Sequence, residues 1–508
     1  MFLLLQPLAL LFLTVLFLYP LFRHAYGEPK GCKLPPGSFG WLPLIGKTMS
    51  FINPHLSCTM GQFLEENIKR YGKIFRSHLF GHPTVVSCDV DFNHFIMQNE
   101  GRLFEASYPA SIPKVIGDFT MLVMTGDAHK RIRGVALSLF SSMKTHEAST
   151  ISDIDNIVVR LMDSWKNKKT LVFCDETRKF TFSVIVKHTL SLSPEDPETV
   201  QLLDNYKTFM KGFVSAPINL PGTPFVKARR EHETRSWIRC LRSILRRQAK
   251  FQITKIVGKI RDRRRRQRIA AGAPEVEGTK DFLDLLESHG GLADEEIFGL
   301  VIDLLIGGYE TTAMLIAIIV KFVGNDPEIL SELRAEHAAA RKKKAGDEPL
   351  KWQDYKDMRL TQCLINEALR LGNVVKFVHR KAIKPVRYKE FEIPAGWKVL
   401  PILSGVHLDG SLHNDPFRFD PRRWQNEEVE IARNFMPFGG GKRLCPGSDL
   451  AWLDTCIFLH HLLLKYSWKT QEEDDWPMSF PFLDFKKGLK IAIQPLSDPC
   501  PSQEQATS

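Results

Sequence analysis

Phe438-Gly439-Gly440-Gly441-Lys442-Arg443-Leu444-Cys445-Pro446-Gly447 sets one cysteine in a glycine-rich loop directly ahead of an apolar run, Ser448 to Lys465. The glycines allow positive φ, so the backbone can lie close to a flat cofactor. Pro446 and Gly447 are a normal helix start. The positive end of the following helix favours a negatively charged sulfur. Arg443 is placed to neutralise a carboxylate of the cofactor, and Phe438 to pack on its ring face. A thiolate axial ligand pushes electron density onto haem iron and favours O–O cleavage. The segment therefore reads as a haem-thiolate loop, against the plainer reading of a buried structural cysteine in a turn.

The chain around it has 508 residues and ordinary globular proportions, 44% apolar and 25% charged, with a net charge of +11. Its nine cysteines are scattered and contain no C-x-x-C pair, which argues against a disulfide framework or a zinc site. No asparagine begins an N-x-Ser/Thr sequon, and no internal repeat is apparent. Residues 2–22 are apolar apart from Gln6 and Thr14, and the first charge is Arg23. At about 1.5 Å per residue this stretch spans a hydrocarbon core roughly 30 Å thick. The cations Arg23, Lys30 and Lys33 follow it, which puts the body on the cytoplasmic side. A cleaved signal peptide would carry a basic n-region and a shorter apolar run. The expectation is a membrane anchor over 1–23, a Pro/Gly hinge over 24–46, a catalytic body over 47–496 and a disordered tail over 497–508.

Asp294 to Val323 is the other long apolar run, interrupted by Asp303 and Glu310, and reads as a core helix. Its centre, Gly307-Gly308-Tyr309-Glu310-Thr311-Thr312, sets two glycines beside an acid and two hydroxyls. Each mid-helix glycine costs about 1 kcal/mol against alanine, so their presence points to a need for space. Above a haem that space is room for dioxygen, and a local break in the helix would admit water. Glu310 and Thr311 are then the candidate pair for delivering protons. Glu367 and Arg370 fall at i, i+3 on a predicted helix from Asp357 to Leu371, where an exposed pair contributes only about 0.2–0.5 kcal/mol. The basic run Arg261 to Arg268 reads as a frayed helix end leading into a solvated loop. Nucleic-acid binding is disfavoured there, because no aromatic residues interleave with the arginines.

Together these segments resemble the cytochrome P450 family. Phe438-x-x-Gly441-x-Arg443-x-Cys445-x-Gly447 is similar to its haem loop, Gly307 to Thr312 to its oxygen-activation segment, and Glu367-Ala-Leu-Arg370 to its E-x-x-R motif. The resemblance implies a mostly α (α+β) fold, helix-rich with small sheets, in which Cys445 ligates haem iron. It implies that Arg423, in Phe419-Asp-Pro-Arg-Arg423-Trp424, completes a buried structural cluster with Glu367 and Arg370. Arg443, Arg380 and the pair His129 and Arg133 are the implied donors to the haem propionates. The family usually carries tryptophan where His129 stands, and the substitution keeps a ring N–H. Lys130, Arg131 and Lys442 would give the face behind the cysteine a positive potential, suited to an acidic redox partner. No G-x-G-x-x-G opens a helix after a strand and no P-loop is present, so NADPH is expected to act through a separate NADPH–cytochrome P450 reductase.

Beyond the motifs, Phe75-Arg-Ser-His-Leu-Phe and Leu220-Pro-Gly-Thr-Pro-Phe look like the plant steroid-modifying branch, and Asn366-Glu-Ala-Leu-Arg-Leu-Gly-Asn-Val-Val-Lys-Phe is most similar to brassinosteroid C-22 hydroxylases. This likeness covers nearly the whole chain after residue 23. It implies an endoplasmic reticulum enzyme, anchored in membrane lipid, that hydroxylates a sterol side chain with dioxygen. Phe104–Ile116, Phe213, Val301–Ile306, Val374–Val378 and Pro481–Leu483 are implied to shape the pocket. Lys442, Trp452 and Asp454 depart from that branch's usual proline, lysine and glutamate. Two alternatives stay open. One is oxidation of another carbon of a steroid or terpenoid. The other is a haem-binding sensor or oxygen-independent isomerase on the same fold, against which Glu310 and Thr311 argue.

Overall fold

The computed structural model describes residues 33–39, 46–109, 111–214, 238–270, 281–288, 290–345, 348–425, 433–479 and 483–496, without the side chains of 111, 114, 211–214 and 238–249. The expected anchor, most of the hinge and the tail lie outside those residues. So do Pro481, the 271–280 segment and the side chain of Phe213.

Six helices position the site: α1 (Gly126–Thr145), α2 (Phe173–Leu190), α3 (Ile238–Ala270), α4 (Asp294–Val323), α5 (Arg359–Gly372) and α6 (Ser448–Lys465). A helix apolar on nearly every face has to be surrounded, and α4 is. Leu300, Leu305, Ala313, Ile316 and Val320 are each no more than 1% exposed. Asp294, Glu295 and Glu296 occupy its first turn, where negative charge suits the positive helix end. α2 crosses it at Gly308, where an added Cβ would lie 2.4 Å from Ile185 Cδ1. Thr181 Oγ1 of α2 donates to Tyr309 O at the same crossing, 2.8 Å away. α6, the helix after the cysteine loop, buries Leu453, Cys456, Ile457 and Phe458 in the same apolar core.

Five strands form the main sheet: β1 (Ile74–Leu79), β2 (His82–Ser87), β3 (Phe104–Ala106), β4 (Arg380–Ala382) and β5 (Lys398–Pro401). Their spatial order is β1-β2-β5-β4-β3, with β2 and β5 parallel and the other neighbours antiparallel. The register sets Arg380 between Val399 and Ala106. Phe104 is fully buried in the sheet's own cluster, edge-on to Phe95 at 6.1 Å, so it packs the sheet and does not line a pocket.

The basic run is corrected. Residues 261–270 belong to α3, and most of the arginines on one side of it are paired. Arg261 binds both Asp294 oxygens at 2.6 and 2.9 Å, and Arg264 bridges Asp281 at 2.7 Å and Asp284 at 3.0 Å. Arg268 reaches Glu287 at 2.9 Å, and Arg263 reaches Glu198 at 2.9 Å. Acids on three neighbouring segments turn an apparently loose charge run into a helical clamp. Composition around the run could not reveal them.

Asp454, on α6, is 3% exposed, and its Oδ1 has no hydrogen-bond partner among the described residues. Burial alone raises its carboxyl well above the usual range. The folded state therefore keeps a proton that the unfolded chain loses above about pH 4, and stability falls as pH rises past that point. Asp454→Asn is expected to raise the apparent Tm at pH 7 and to have little effect near pH 4. Thermal melts across that range check it.

Candidate active site

The cysteine loop is built by close approach to the helix at Val90–Gln98. Gly441 has φ +62°, and a Cβ there would lie 2.1 Å from Met97 O, so both conformation and space require glycine. Gly439 N–H donates to Met436 O and Cys445 N–H to Phe438 O, each at 3.0 Å, which folds the loop back on itself. Cys445 follows this closure and stands just before α6. Burial pushes its thiol up, while the Gly447 N–H and the Arg133 guanidinium pull it back down. Phe438 packs against the core beside it.

Donors converge on one side of this loop from separate elements. Arg443 donates to Glu100 Oε1 at 2.6 Å and to Met121 O at 2.9 Å, and also binds Met124 O. Arg380, 4% exposed on β4, meets Glu100 Oε2 at 2.8 Å. His129 and Arg133 of α1 have no side-chain hydrogen bond or ion pair among the described residues. The His129 ring is pushed down to about 4, first by burial and then by Arg443, Arg133 and Arg380 nearby. Burial also lowers Arg133, with Cys445 opposing and Arg443 adding to the shift. Arg380 and Arg443 thus share a single carboxylate, Glu100, while Arg133 beside them has none among the described residues. A half-buried surplus of cations beside a cysteine is the donor set that a flat dianion such as haem, with two propionates, would satisfy. Sequence reasoning missed Glu100, a lone acid in a polar turn with no distinguishing neighbours.

On the facing side, α4 runs unbroken from Asp294 to Val323, so the expected break at its centre does not occur. The two glycines part company. Gly308 packs against Ile185, whereas Gly307 is exposed in mid-core, with nothing within 4 Å of an added Cβ. Only Gly307 opens space. Val301, Ile302, Leu304 and Leu305 turn into the core, which leaves Asp303, Ile306, Gly307 and Thr311 as the accessible face of this stretch. Thr311 Oγ1 donates to Gly307 O, the bond an intact helix offers a mid-helix hydroxyl. Glu310 turns toward α2, where Arg178 Nε reaches its two oxygens at 2.8 and 3.1 Å. Arg178 also donates to Asp484, 2.8 Å away. Burial raises the Glu310 carboxyl although Arg178 opposes the shift. Sequence reasoning missed Arg178, whose only signal was an ordinary charge on an amphipathic helix.

A third group holds the loop from behind. Glu367 and Arg370 are fully buried, joined by bonds of 2.7 and 2.8 Å, and the carboxylate also accepts from Arg423 Nε at 3.1 Å, Trp424 Nε1 at 2.9 Å and the Asp420 N–H at 2.9 Å. Arg370 also donates to His407 O and Pro416 O at 2.8 and 2.7 Å. The His407 ring, pushed down to about 3 by burial, is neutral. Its Nδ1–H faces Asn373 Oδ1 at 3.0 Å, and its Nε2 accepts from Met436 N at 3.1 Å, next to the start of the cysteine loop. Of the basic residues expected behind the cysteine, Lys130 and Lys442 are exposed, but Arg131 is taken up by Glu296.

A family model described as Cytochrome P450 matches residues 35–493. The chain is 46% identical to cytochrome P450 724B1 of Oryza sativa subsp. japonica over 495 residues, covering 96% of this chain and 97% of that protein. It is 43% identical to a cholesterol 22-monohydroxylase of Paris polyphylla over 466 residues, covering 91% and 94%. It is 42% identical to a steroid (22S)-hydroxylase of Oryza sativa subsp. japonica over 472 residues, covering 91% and 88%. The solved structure of retinoic acid-bound cyanobacterial CYP120A1 superposes with a TM-score of 0.75 at 24% identity, over 92% of this chain and all of that one, a likeness of fold.

The two glycines are separable by substitution. Gly308→Ala is expected to destabilise the protein by about 1–3 kcal/mol through overpacking against Ile185. Gly307→Ala is expected to leave stability unchanged or raise it by about 1 kcal/mol. Chemical denaturation of the two variants distinguishes them.

Proposed function

Because the chain belongs to the cytochrome P450 family, whose members hold haem iron through a cysteine thiolate and draw electrons from a reductase, we propose that it is a monooxygenase hydroxylating the side chain of a sterol at C-22. The observation that carries this reading is the run of relatives at 42–43% identity over nine-tenths of the chain that are named as cholesterol or steroid 22-hydroxylases. Brassinosteroid synthesis in the endoplasmic reticulum membrane is the setting that fits such a product and the apolar stretch at 2–22. The body would then face the cytosol, and the reductase would dock on the side of Lys130 and Lys442.

Held by the cysteine loop, haem would supply oxygen activation. The roles of the protein's own groups follow from their positions. Cys445 would hold the iron, whose charge would offset the burial that otherwise raises its thiol. Arg133, Arg380, Arg443 and His129 are the candidate propionate holders, and their surplus positive charge is neutralised on binding. Gly307 leaves the reacting oxygen room. Thr311 can turn its hydroxyl from Gly307 O toward that space, and Glu310, with its raised carboxyl, is suited to pick up a proton when Arg178 lets it go. The Glu367–Arg370–Arg423 cluster holds the polypeptide behind the cysteine. Removing Glu367 would strand buried cations at a cost of about 3–5 kcal/mol.

A related cholesterol 16,22-dihydroxylase from Trigonella foenum-graecum, 43% identical over 466 residues, supports a second reading, oxidation of an additional carbon. Apolar contacts distinguish one methylene from its neighbour by only about 1–3 kcal/mol, so a few pocket residues can shift the position attacked. Microsomes carrying this chain and a plant reductase, given a panel of sterols, test both readings by mass spectrometry. A new NADPH-dependent C-22 alcohol is the expected product. Products oxidised only elsewhere would move the enzyme to another step, and no turnover of any sterol would overturn the steroid assignment.

A further inference from the structure

Between the short helix Ser111–Ile116 and α1 runs a strap, Gly117–Met124, whose backbone is gripped from three directions. From α4, Asp303 Oδ2 accepts the Met121 N–H at 2.6 Å, and the Leu122 N–H points to the same carboxylate. From α3, Lys250 Nζ donates to Ile116 O at 2.8 Å. From the cysteine loop, Arg443 donates to Met121 O at 2.9 Å and also binds Met124 O. The Met121 peptide is therefore held by its N–H from one side and by its C=O from the other.

Two glycines make this contact possible. A Cβ on Gly299 of α4 would lie 2.0 Å from Phe119 O, so the strap backbone rests directly on the helix. Gly117 has φ +95°, and a Cβ there would lie 2.1 Å from Lys250 Nζ. Within the strap, Thr120 O accepts from Val123 N and Met124 N at 3.1 and 3.0 Å, which gives the segment a fold of its own. Met121, Leu122, Val123 and Met124 are half-buried, packed against the main apolar core. Asp303 stands one helical turn before Gly307 on the same face of α4, so the strap lies at the edge of the space that Gly307 opens.

We propose that Asp303 is a positioning residue for substrate, which with Lys250 latches the Gly117–Met124 strap shut over the chamber beside Gly307. The strap opens by losing the Asp303 and Lys250 bonds, while Arg443 keeps its hold on Met121 and Met124 as the pivot. The two ends differ in kind. The Arg443 guanidinium is anchored a second time by Glu100, whereas burial disfavours the charged form of Asp303 and so weakens its grip. The weaker end faces the substrate space and the stronger end faces the cysteine. The latch acts on any bulky apolar occupant and does not depend on which sterol carbon is hydroxylated.

Two readouts independent of turnover test it, on the full-length haem-loaded protein. The first is hydrogen–deuterium exchange of the peptide covering 116–124. The second is stopped-flow binding of clotrimazole, a bulky iron-ligating azole, compared with imidazole, which is small enough to bypass the strap. In Asp303→Ala and in Lys250→Met, exchange in 116–124 is expected to rise at least tenfold. Clotrimazole association and dissociation are both expected to quicken at least threefold, with imidazole rates unchanged. Asp303→Asn keeps a neutral acceptor for the Met121 N–H and is expected to behave close to the parent. Unchanged exchange in the Ala and Met variants would overturn the proposal. So would equal acceleration of clotrimazole and imidazole, which marks general loosening. Should Asp303→Ala fail to load haem, Lys250→Met, on a different helix, carries the same test.

Discussion

A sulfur that has to bear negative charge inside a protein fixes most of what surrounds it. Ionising a buried cysteine is costly, and elsewhere in this chain burial simply keeps thiols neutral, as at Cys88, pushed up to about 12. Cys445 differs in what is brought to it. The Gly447 N–H and Arg133 favour its charged form, and the Cys445 N–H to Phe438 O bond fixes where the loop turns. That turn needs Gly441 pressed against Met97, which in turn needs the helix at Val90–Gln98 to sit where the main sheet holds it. The loop's other flank hangs from Met436, His407 and the Glu367 cluster. Sheet and helices are therefore scaffolding for the position of one atom.

Charge accounts for the second layer. Two arginines share the Glu100 carboxylate and a third, Arg133, lies beside them with a neutral histidine, so the protein without its cofactor holds an unfavourable excess of positive potential. Binding a dianion relieves it, and cofactor capture thereby adds to stability by mass action. Glu100 has the converse role of keeping Arg380 and Arg443 pointed inward. On the opposite wall, Arg178 is shared by Glu310 and Asp484, so Glu310 is held by a cation that a more exposed carboxylate also claims.

What could be read from sequence follows the range of the interactions involved. The cysteine loop, α4 and α6 were legible because each is written in contiguous residues, and the boundaries of both helices match the apolar runs. Arg370 and Glu367 were legible as a pair only through resemblance, since i, i+3 spacing alone describes any surface ion pair. Long-range partners were not legible. Trp424, Glu100 and Arg178 are ordinary residues locally and acquire meaning only across the fold. The basic run at 261–268 misled for the same reason, since the acids that pair it come from Glu198, Asp281, Asp284, Glu287 and Asp294. Gly307 and Gly308 looked equivalent in sequence, and only the position of Ile185 separates an open face from a packing contact.

The claim on which all of this rests is that Cys445 is the iron's ligand. It is tested most directly by the carbon monoxide difference spectrum of the reduced protein beside that of Cys445→Ala, with far-ultraviolet circular dichroism to verify the fold. A thiolate-type band is expected in the parent, with its complete loss in a variant that keeps its helical spectrum. A thiolate-type band surviving in Cys445→Ala would mean that another cysteine holds the iron, and would contradict the site as drawn.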